Sequence, residues 1–317
     1  MGAAPPLEIA VRTMQEADLA AATRIFRVAF ATFLNAPDPE NFRADRDYIA
    51  TRFHAHPEAA LVAEVNRTIV GSNLLAHWGS FGFFGPLTVL PEYWDRGVAR
   101  ALLAPTVALF DRWGVRESAL FTFAHSPKHL ALYQKFGYWP GPLTALMAKP
   151  VAPDRASLIL LSRLDAAAQA EALAACRELA AAVYPGLDLT SEIRSVLRQF
   201  LGETLLLREG SHLDGFAVCH CGAGTEAGTG AAYVKFAAVR PGPAAATSLE
   251  RLLDGCEALA QQRSLARLEA GVNLNCRGAY QLLLQHGFRT TAQGVAMHRP
   301  DTPAYNRPDA FVLDDWR

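Results

Sequence analysis

Two stretches of this 317-residue chain fall on one another at a shift of 150 positions, and that repetition constrains the fold more than any motif within it. Val89 and Pro91 fall on Val239 and Pro241, and Leu102 and Leu103 on Leu252 and Leu253. Gly137-Tyr138 falls on Gly287-Phe288, Met147 on Met297 and Pro150 on Pro300. Several anchors at one gap-free shift indicate an internal repeat. Solenoid units are far shorter than this, so the copies are tandem domains. They are expected as residues 1–152 and 153–317, with the seam at "AKPVAPDRAS", where two prolines and an aspartate interrupt the apolar pattern. The length agrees, since a chain of this size exceeds one compact core.

Both copies share an outline. A short strand ("LEIAVRT", "SLILLSR") leads into an Ala-rich helix, then into hairpin strands turning at Asn66-Arg67 or near Gly210. A further strand ("FFGPLTVLP", "AAYVKFAAVRP") meets a proline that ends its ladder. Helix, strand ("ESALFTFAH", "ARLEAGVNL"), a helix closed by Gly137 or Gly287, and a last strand follow. That order predicts an α/β (α+β) chain, each copy a mixed, mostly antiparallel sheet flanked by helices.

Thirty basic and thirty-one acidic residues leave a formal net charge of -1, without the basic excess of a general nucleic-acid binder. Five cysteines without regular spacing do not form a disulfide framework. The first residues meet Glu8 and Arg12 before any long apolar run, unlike a secretory signal, and no apolar run approaches the ~18–20 residues that cross a bilayer. A cytoplasmic protein, without nucleic-acid or membrane partners, is the expectation.

The copies differ at one turn. After Val89, the loop Trp94-Asp95-Arg96-Gly97-Val98-Ala99 opens a helix carrying Leu102, Leu103 and Leu109. Amides at a helix start lack internal partners and point outward at the positive end of the dipole. Small residues at 97 and 99 let a phosphate approach, and Arg96 and Arg100 add charge, a recipe for holding a pyrophosphate. A tight turn with a strain-relieving glycine and solvated arginines fits the same residues equally well.

Downstream, "SPKHLALYQKFGYW" is a short helix ending in Gly-aromatic. Val89-Leu90-Pro91, Gly97, Ala99, Leu132-Tyr133 and Gly137-Tyr138 together resemble the GNAT superfamily of acyl-CoA-dependent N-acyltransferases, over most of residues 7–150. Trp94 departs from the family, which has Gln or Arg there. Pro105 departs too, and within a helix should cost about 3 kcal/mol or force a kink. The resemblance implies two tandem GNAT-like domains and acetyl-CoA as acyl donor. Its cofactor-binding positions here are Leu87, Thr88 and Val89 on the strand, Trp94, Asp95, Arg96, Gly97, Val98, Ala99 and Arg100 in the turn, and Ser126. In the second copy Arg96 becomes Ala246, Gly97 becomes Thr247, Arg100 becomes Glu250 and Tyr133 becomes Leu283. Packing positions survive and anion-binding ones do not, so that half is expected to be degenerate.

In this family the strand at Val89 splays from its neighbour, the pantetheine arm adds as a strand, and a free amine attacks directly. The resemblance implies Tyr133 as the acid for the departing thiolate. No carboxylate lies in "FGFFGPLTVLP", which leaves His125, His77 and Glu64 as candidate bases, each with an ordinary structural role as its alternative. In the family the region of Phe26, Phe30, Phe33, Phe42, Tyr48 and Phe53 lies over the acceptor site, which implies a small-molecule or peptide amine with an apolar part, while core packing accounts for the same rings nearly as well. Asp38, Glu40, Asp45 and Asp47 could attract a cation or simply be solvated. Rivals are a non-catalytic acyl-CoA sensor and a tandem acyltransferase like the mycothiol synthases. A monomer or homodimer is expected. "CHC" at Cys219–Cys221 lacks a second ligand pair, so no metal is expected. "GAGTEAGTGAA" precedes a strand and reads as a flexible loop, and Phe311 and Trp316 of the tail are expected to dock across the seam.

Overall fold

The computed structural model of the chain describes residues 7–152, 158–210 and 212–317. The first copy runs β1 (Ala10–Thr13), α1 (Leu19–Phe33), α2 (Ile49–Ala55), β2 (Ala60–Val65), β3 (Thr68–Trp78), β4 (Phe81–Phe84) and β5 (Thr88–Val89). It continues with α3 (Val98–Trp113), β6 (Glu117–Thr122), α4 (Pro127–Gln134) and β7 (Trp139–Pro150). The second repeats the order with β8 (Ile159–Leu160), α5 (Ala166–Val183), α6 (Thr190–Arg198), β9 (Gly202–Glu209), β10 (His212–Cys221) and β11 (Ala231–Val239). Then come α7 (Ala245–Gln262), β12 (Arg267–Asn273), α8 (Arg277–Gln285), β13 (Arg289–Arg299) and an added β14 (Val312–Leu313).

From β4 onward four pairs of elements start 150 residues apart, α4 and α8 at Pro127 and Arg277 among them, while α7 starts three residues early. β11 starts at Ala231 and β4 at Phe81, β12 at Arg267 and β6 at Glu117, β13 at Arg289 and β7 at Trp139. Upstream, the second hairpin starts early, at Gly202, and residues 222–230 take up the slack. Asn66 and Arg67 adopt φ of +51° and +64°, the left-handed pair that a two-residue hairpin turn requires. The short helices α2 and α6 went unannounced in the sequence, since seven and nine residues give apolar periodicity little room.

Among the described residues the strands make one sheet, in the order β1-β2-β3-β4-β6-β13-β7-β12-β11-β10-β9-β8, with β5 on β3 and β14 on β11. The middle of that order is an exchange. β13, the last strand of the second copy, lies antiparallel against β6 of the first, from Val295 opposite Thr122 to Arg299 opposite Ser118. β7, the last strand of the first copy, lies between β13 and β12. Each copy's open edge is thereby closed by the other's strand, which satisfies main-chain groups that would otherwise face water or a stray partner. The equivalent Met147 and Met297 are both buried in the exchanged ladder. The expected seam adjoins residues 153–157, outside the described residues.

Packing crosses the seam as well. The largest core gathers the second copy around its sheet and takes in Trp78, Phe81 and Phe83 of the first. Trp78 meets Phe83 at 4.8 Å and Phe236 at 5.6 Å, edge to face. The tail docks. Trp316 is 5% exposed, with Phe81 at 5.3 Å, and its indole N–H donates to the Tyr305 hydroxyl at 2.8 Å. Phe311, by contrast, covers Gly278 of its own copy, where a Cβ would come within 2.7 Å of the ring, so of these two rings it is Trp316 that reaches across.

The glycine-rich loop is not flexible in the sense expected. Thr225 to Gly228 are buried because the loop grips the segment between α1 and α2. Gly224 N donates to Asp45 O (2.8 Å), Asp47 N to Thr225 O (3.1 Å), and Thr229 N to the Asp45 carboxylate (2.7 Å).

Residues 1–152 produced alone would keep β7 but lack β13, leaving β6 with an open edge. The expected product is an associating or non-cooperatively unfolding fragment; a monomer by size-exclusion chromatography with a sharp two-state denaturant transition would contradict the exchange.

Candidate functional site

The first copy holds an opened sheet. β4 and β6 pair in parallel only between Phe81–Phe83 and Glu117–Ala119. Past Phe84 the chain leaves β6 and follows β3, with Ser72 opposite Thr88 and Gly71 opposite Val89. β6 meanwhile continues to Thr122 on β13. The two diverging strands bound a wedge. Leu90 N–H bonds Val70 O at 2.9 Å, and main-chain groups of neighbouring strand residues face opposite edges, so the Val89 N–H turns toward the wedge. Glycine is required at 71, since a Cβ there would stand 2.8 Å from Thr88 O and 3.2 Å from Val98 Cγ1. The Thr88 hydroxyl meets Ser72 Oγ at 3.1 Å, and Leu87 and Val89 pack on the first copy's core.

The turn after β5 brings α3 to the same place. Gly97 caps α3 with φ +89°, and Asp95 holds φ +61°. No side chain caps α3, and its first internal bond is Ala101 N to Gly97 O at 2.9 Å, so the leading amides of Val98, Ala99 and Arg100 have no acceptor within the helix. Val98 is buried beneath the turn, while Arg96 and Arg100 are exposed, Arg96 over the Tyr93 ring. Arg100 lines a cleft of about 580 Å³ with Gly97, Ala101, Ala104, Lys135 and Phe136. Trp94 does something the sequence could not announce: its indole N–H donates to Val89 O at 2.7 Å, tying the turn to the strand. Its ring also lies under Lys128, which pairs with Asp95 at 2.8 Å. Pro105 neither breaks nor ends α3. The carbonyl it deprives of a donor belongs to Ala101, which borders the open cleft, and Thr106 Oγ1 donates to Leu102 O one position on.

Opposite lies α4. Ser126 caps it, its hydroxyl accepting from His129 N at 3.4 Å. Tyr133 is buried against Phe84 (5.9 Å), and burial pushes its phenol up to about 12 against a smaller opposing pull from the Thr122 side chain. His125 is exposed at the mouth, with Phe33 and Phe123 at 6.1 and 5.7 Å. His129, one turn before Tyr133, sits between Phe33 (4.9 Å) and Phe123 (6.0 Å), and burial, then Lys128 and His125, lower its pKa. The i, i+4 spacing to Tyr133 was the available signal for it.

The other expectations separate. Phe26, Tyr48 and Phe53 are core beneath α1 and α2, whereas Phe30 and Phe33 reach Phe123 at 6.0 and 4.6 Å. Phe42 carries the Arg43 guanidinium over its ring. His77 stacks on Trp113 (4.9 Å), at the end of α3 remote from Gly97, and burial lowers its pKa. Glu64 is taken by Arg12 at 2.6 Å. Glu40 pairs with Arg24, Asp38 accepts from Asn41, and Asp47 accepts from Ala50 N at 2.8 Å. Of the three candidate bases, His125 alone stands beside the wedge.

In the second copy the same wedge is filled. β11 and β12 pair in parallel from Ala231–Val234 to Arg267–Ala270 and then diverge. Into the gap comes β14, with Leu313 opposite Ala237 and Val312 opposite Ala238, while Asp314 N donates to Gly271 O at 2.9 Å. The chain's own main chain occupies the edge that stays open in the first copy. Cys219, of the discounted cluster, lies 3.8 Å from Cys256, and His220 Nδ1 accepts from Glu226 N.

Residues 22–138 match the model of the acetyltransferase (GNAT) family. The sequence matches no curated protein. Among solved structures, a proposed acetyltransferase from Pyrococcus horikoshii is similar at 13% identity and a TM-score of 0.68, over 97% of this chain and 95% of that one. A GCN5-related N-acetyltransferase from Sphaerobacter thermophilus is similar at 16% identity and a TM-score of 0.57, over 92% and 95%. A tandem GNAT protein from the clavulanic acid biosynthesis pathway gives 16% and 0.57, over 92% and 98%. These three likenesses, at such identities, are likenesses of fold, and they extend it over both copies. Residues 22–138 thus match the acetyltransferase (GNAT) family, and the chain is built on two tandem copies of that fold.

Proposed function

We propose that the chain is an acetyl-CoA-dependent N-acetyltransferase whose acceptor is a primary amine on a small molecule or peptide, with residues 1–152 carrying the acyl-CoA site. The carrying observation is the contrast between an open wedge beside an uncapped helix start in the first copy and a wedge filled by β14 in the second. The residues suit the donor. The amides of Val98, Ala99 and Arg100, with Arg100 and Lys135 lining the adjoining cleft, suit a diphosphate, and the outward Val89 N–H suits a carbonyl oxygen in the wedge.

Each residue then has a task. Val89 N–H donates to the oxygen where negative charge gathers during attack. Tyr133, held protonated by burial, gives its proton to the leaving sulfur. His125 takes a proton from the amine at the mouth, and the Phe30, Phe33 and Phe123 rings favour an acceptor with an apolar portion beside the amine. Two observations favour a binding-only protein as the second reading: β4 and β5 carry no carboxylate, and Trp94 already occupies Val89 O. A panel of amines with thiol release as the readout separates the two, since a sensor binds acetyl-CoA without amine-dependent release.

Gly97→Glu places a side chain at φ +89° and a negative charge at the α3 start; calorimetry should show acetyl-CoA binding weakened at least ~10-fold, and unchanged binding would refute the diphosphate assignment. Tyr133→Phe should lower turnover about 100-fold with little change in acetyl-CoA affinity. Because the folded phenol titrates near 12, the Tyr133-dependent part of the rate should stay flat to pH 10 and fall only toward pH 12. A Tyr133-dependent fall beginning near pH 8 would remove it as the acid.

A further inference from the structure

The main chain that opens the wedge is held from the second copy. Gly85 lies between β4 and β5, where pairing with β6 has ended; its N–H donates to Leu74 O at 2.8 Å and its carbonyl accepts from Arg52 Nη1 at 2.6 Å. Arg52 comes from α2, is buried, and lies under Tyr48 and Phe83 at 5.6 and 5.8 Å. Its other donors are spent on the second copy: Nε and Nη2 reach the two Glu226 carboxylate oxygens at 2.8 and 3.0 Å, and Nη2 also reaches Arg317 O.

Glu226 is fully buried and accepts from Lys235 Nζ at 2.6 Å, and Lys235 lies 3.3 Å from Glu192. Its main-chain N–H donates to His220 Nδ1, and burial drives that imidazole down to about 4, which leaves it neutral. Asp47 stands nearby, its pKa raised by burial, and accepts from Ala50 N. Arg52 and Lys235 thus face Glu226 and Glu192, and a planar guanidinium fixed on two sides presents its remaining edge to one carbonyl. Three residues, Pro86 to Thr88, separate that carbonyl from the Val89 N–H.

We infer that Arg52, anchored by Glu226, is a positioning residue for acyl transfer, through which the second copy sets the course of the Gly85–Val89 main chain. This rests on the acyltransferase site proposed for the first copy. It gives the half with the filled wedge a part in the reaction that needs no ligand of its own. A lysine at 52 keeps the charge beside Glu226, but its single ammonium cannot serve Glu226 and Gly85 O in the same fixed fork.

The test uses the full chain with Arg52→Lys, and Arg52→Met/Glu226→Leu as a second variant that replaces the buried pair with apolar groups of similar size. In both, turnover with a working amine should fall at least ~10-fold while acetyl-CoA affinity by calorimetry stays within about threefold, because the α3 start does not touch this network. Amide exchange, followed without substrate, should quicken at least ~10-fold in residues 84–90 and stay unchanged in α3. Unchanged exchange in residues 84–90 overturns the inference, as does a loss of affinity in step with turnover. If the unmodified protein acetylates no amine, the proposed function fails, and the exchange measurement still decides the role of Arg52.

Discussion

The ladder β6-β13-β7-β12 is the constraint from which the rest follows. An unpaired strand edge must be closed, and here each copy closes the other's. Once the last strands are exchanged, the copies cannot sit at arm's length. Trp78, Phe81 and Phe83 enter the second copy's core, and Trp316 returns the contact. α2 is brought against the loop of Glu226, so a buried ion pair forms between residues far apart in the chain. Such a pair is costly to desolvate and is tolerated because Lys235, Gly85 and the tail satisfy its remaining groups.

Within that frame two wedges of like geometry meet different ends. Both arise because a parallel strand pair parts after three or four residues. In the first copy the parted edge borders an uncapped helix start with exposed arginines. In the second it is stitched by β14, and the α7 start has Thr247 and Glu250 where α3 has Gly97 and Arg100. An edge that would accept an extended ligand through main-chain bonds accepts an extended peptide by the same bonds. The altered turn and the filled wedge fall in the same copy.

Much of this was legible in the sequence, and the reasons for the remainder are specific. Repeat, element order and turn could be seen because apolar spacing, proline and glycine act locally, and from β4 on four pairs of elements keep the shift of 150. Periodicity says which face of β7 or β13 is buried but not which strand it meets, so the exchange was hidden. β14, two residues long, has no pattern to read. Trp94 looked like a lost polar contact because its bond to Val89 O requires the loop to fold back. His77 and Glu64 looked available until Trp113 and Arg12 were seen against them. A lone carboxylate among the glycines of "GAGTEAGTGAA" was the one trace of the Arg52 network.

The exchanged strands also bear on how such a chain changes over generations. Deleting either half would strip the survivor of a strand it no longer owns, so the duplication works as a ratchet that cannot slip back to a single unit. Each half is then held in place by the strand it lends, and is free to drift only where it neither lines the shared ladder nor reaches its neighbour.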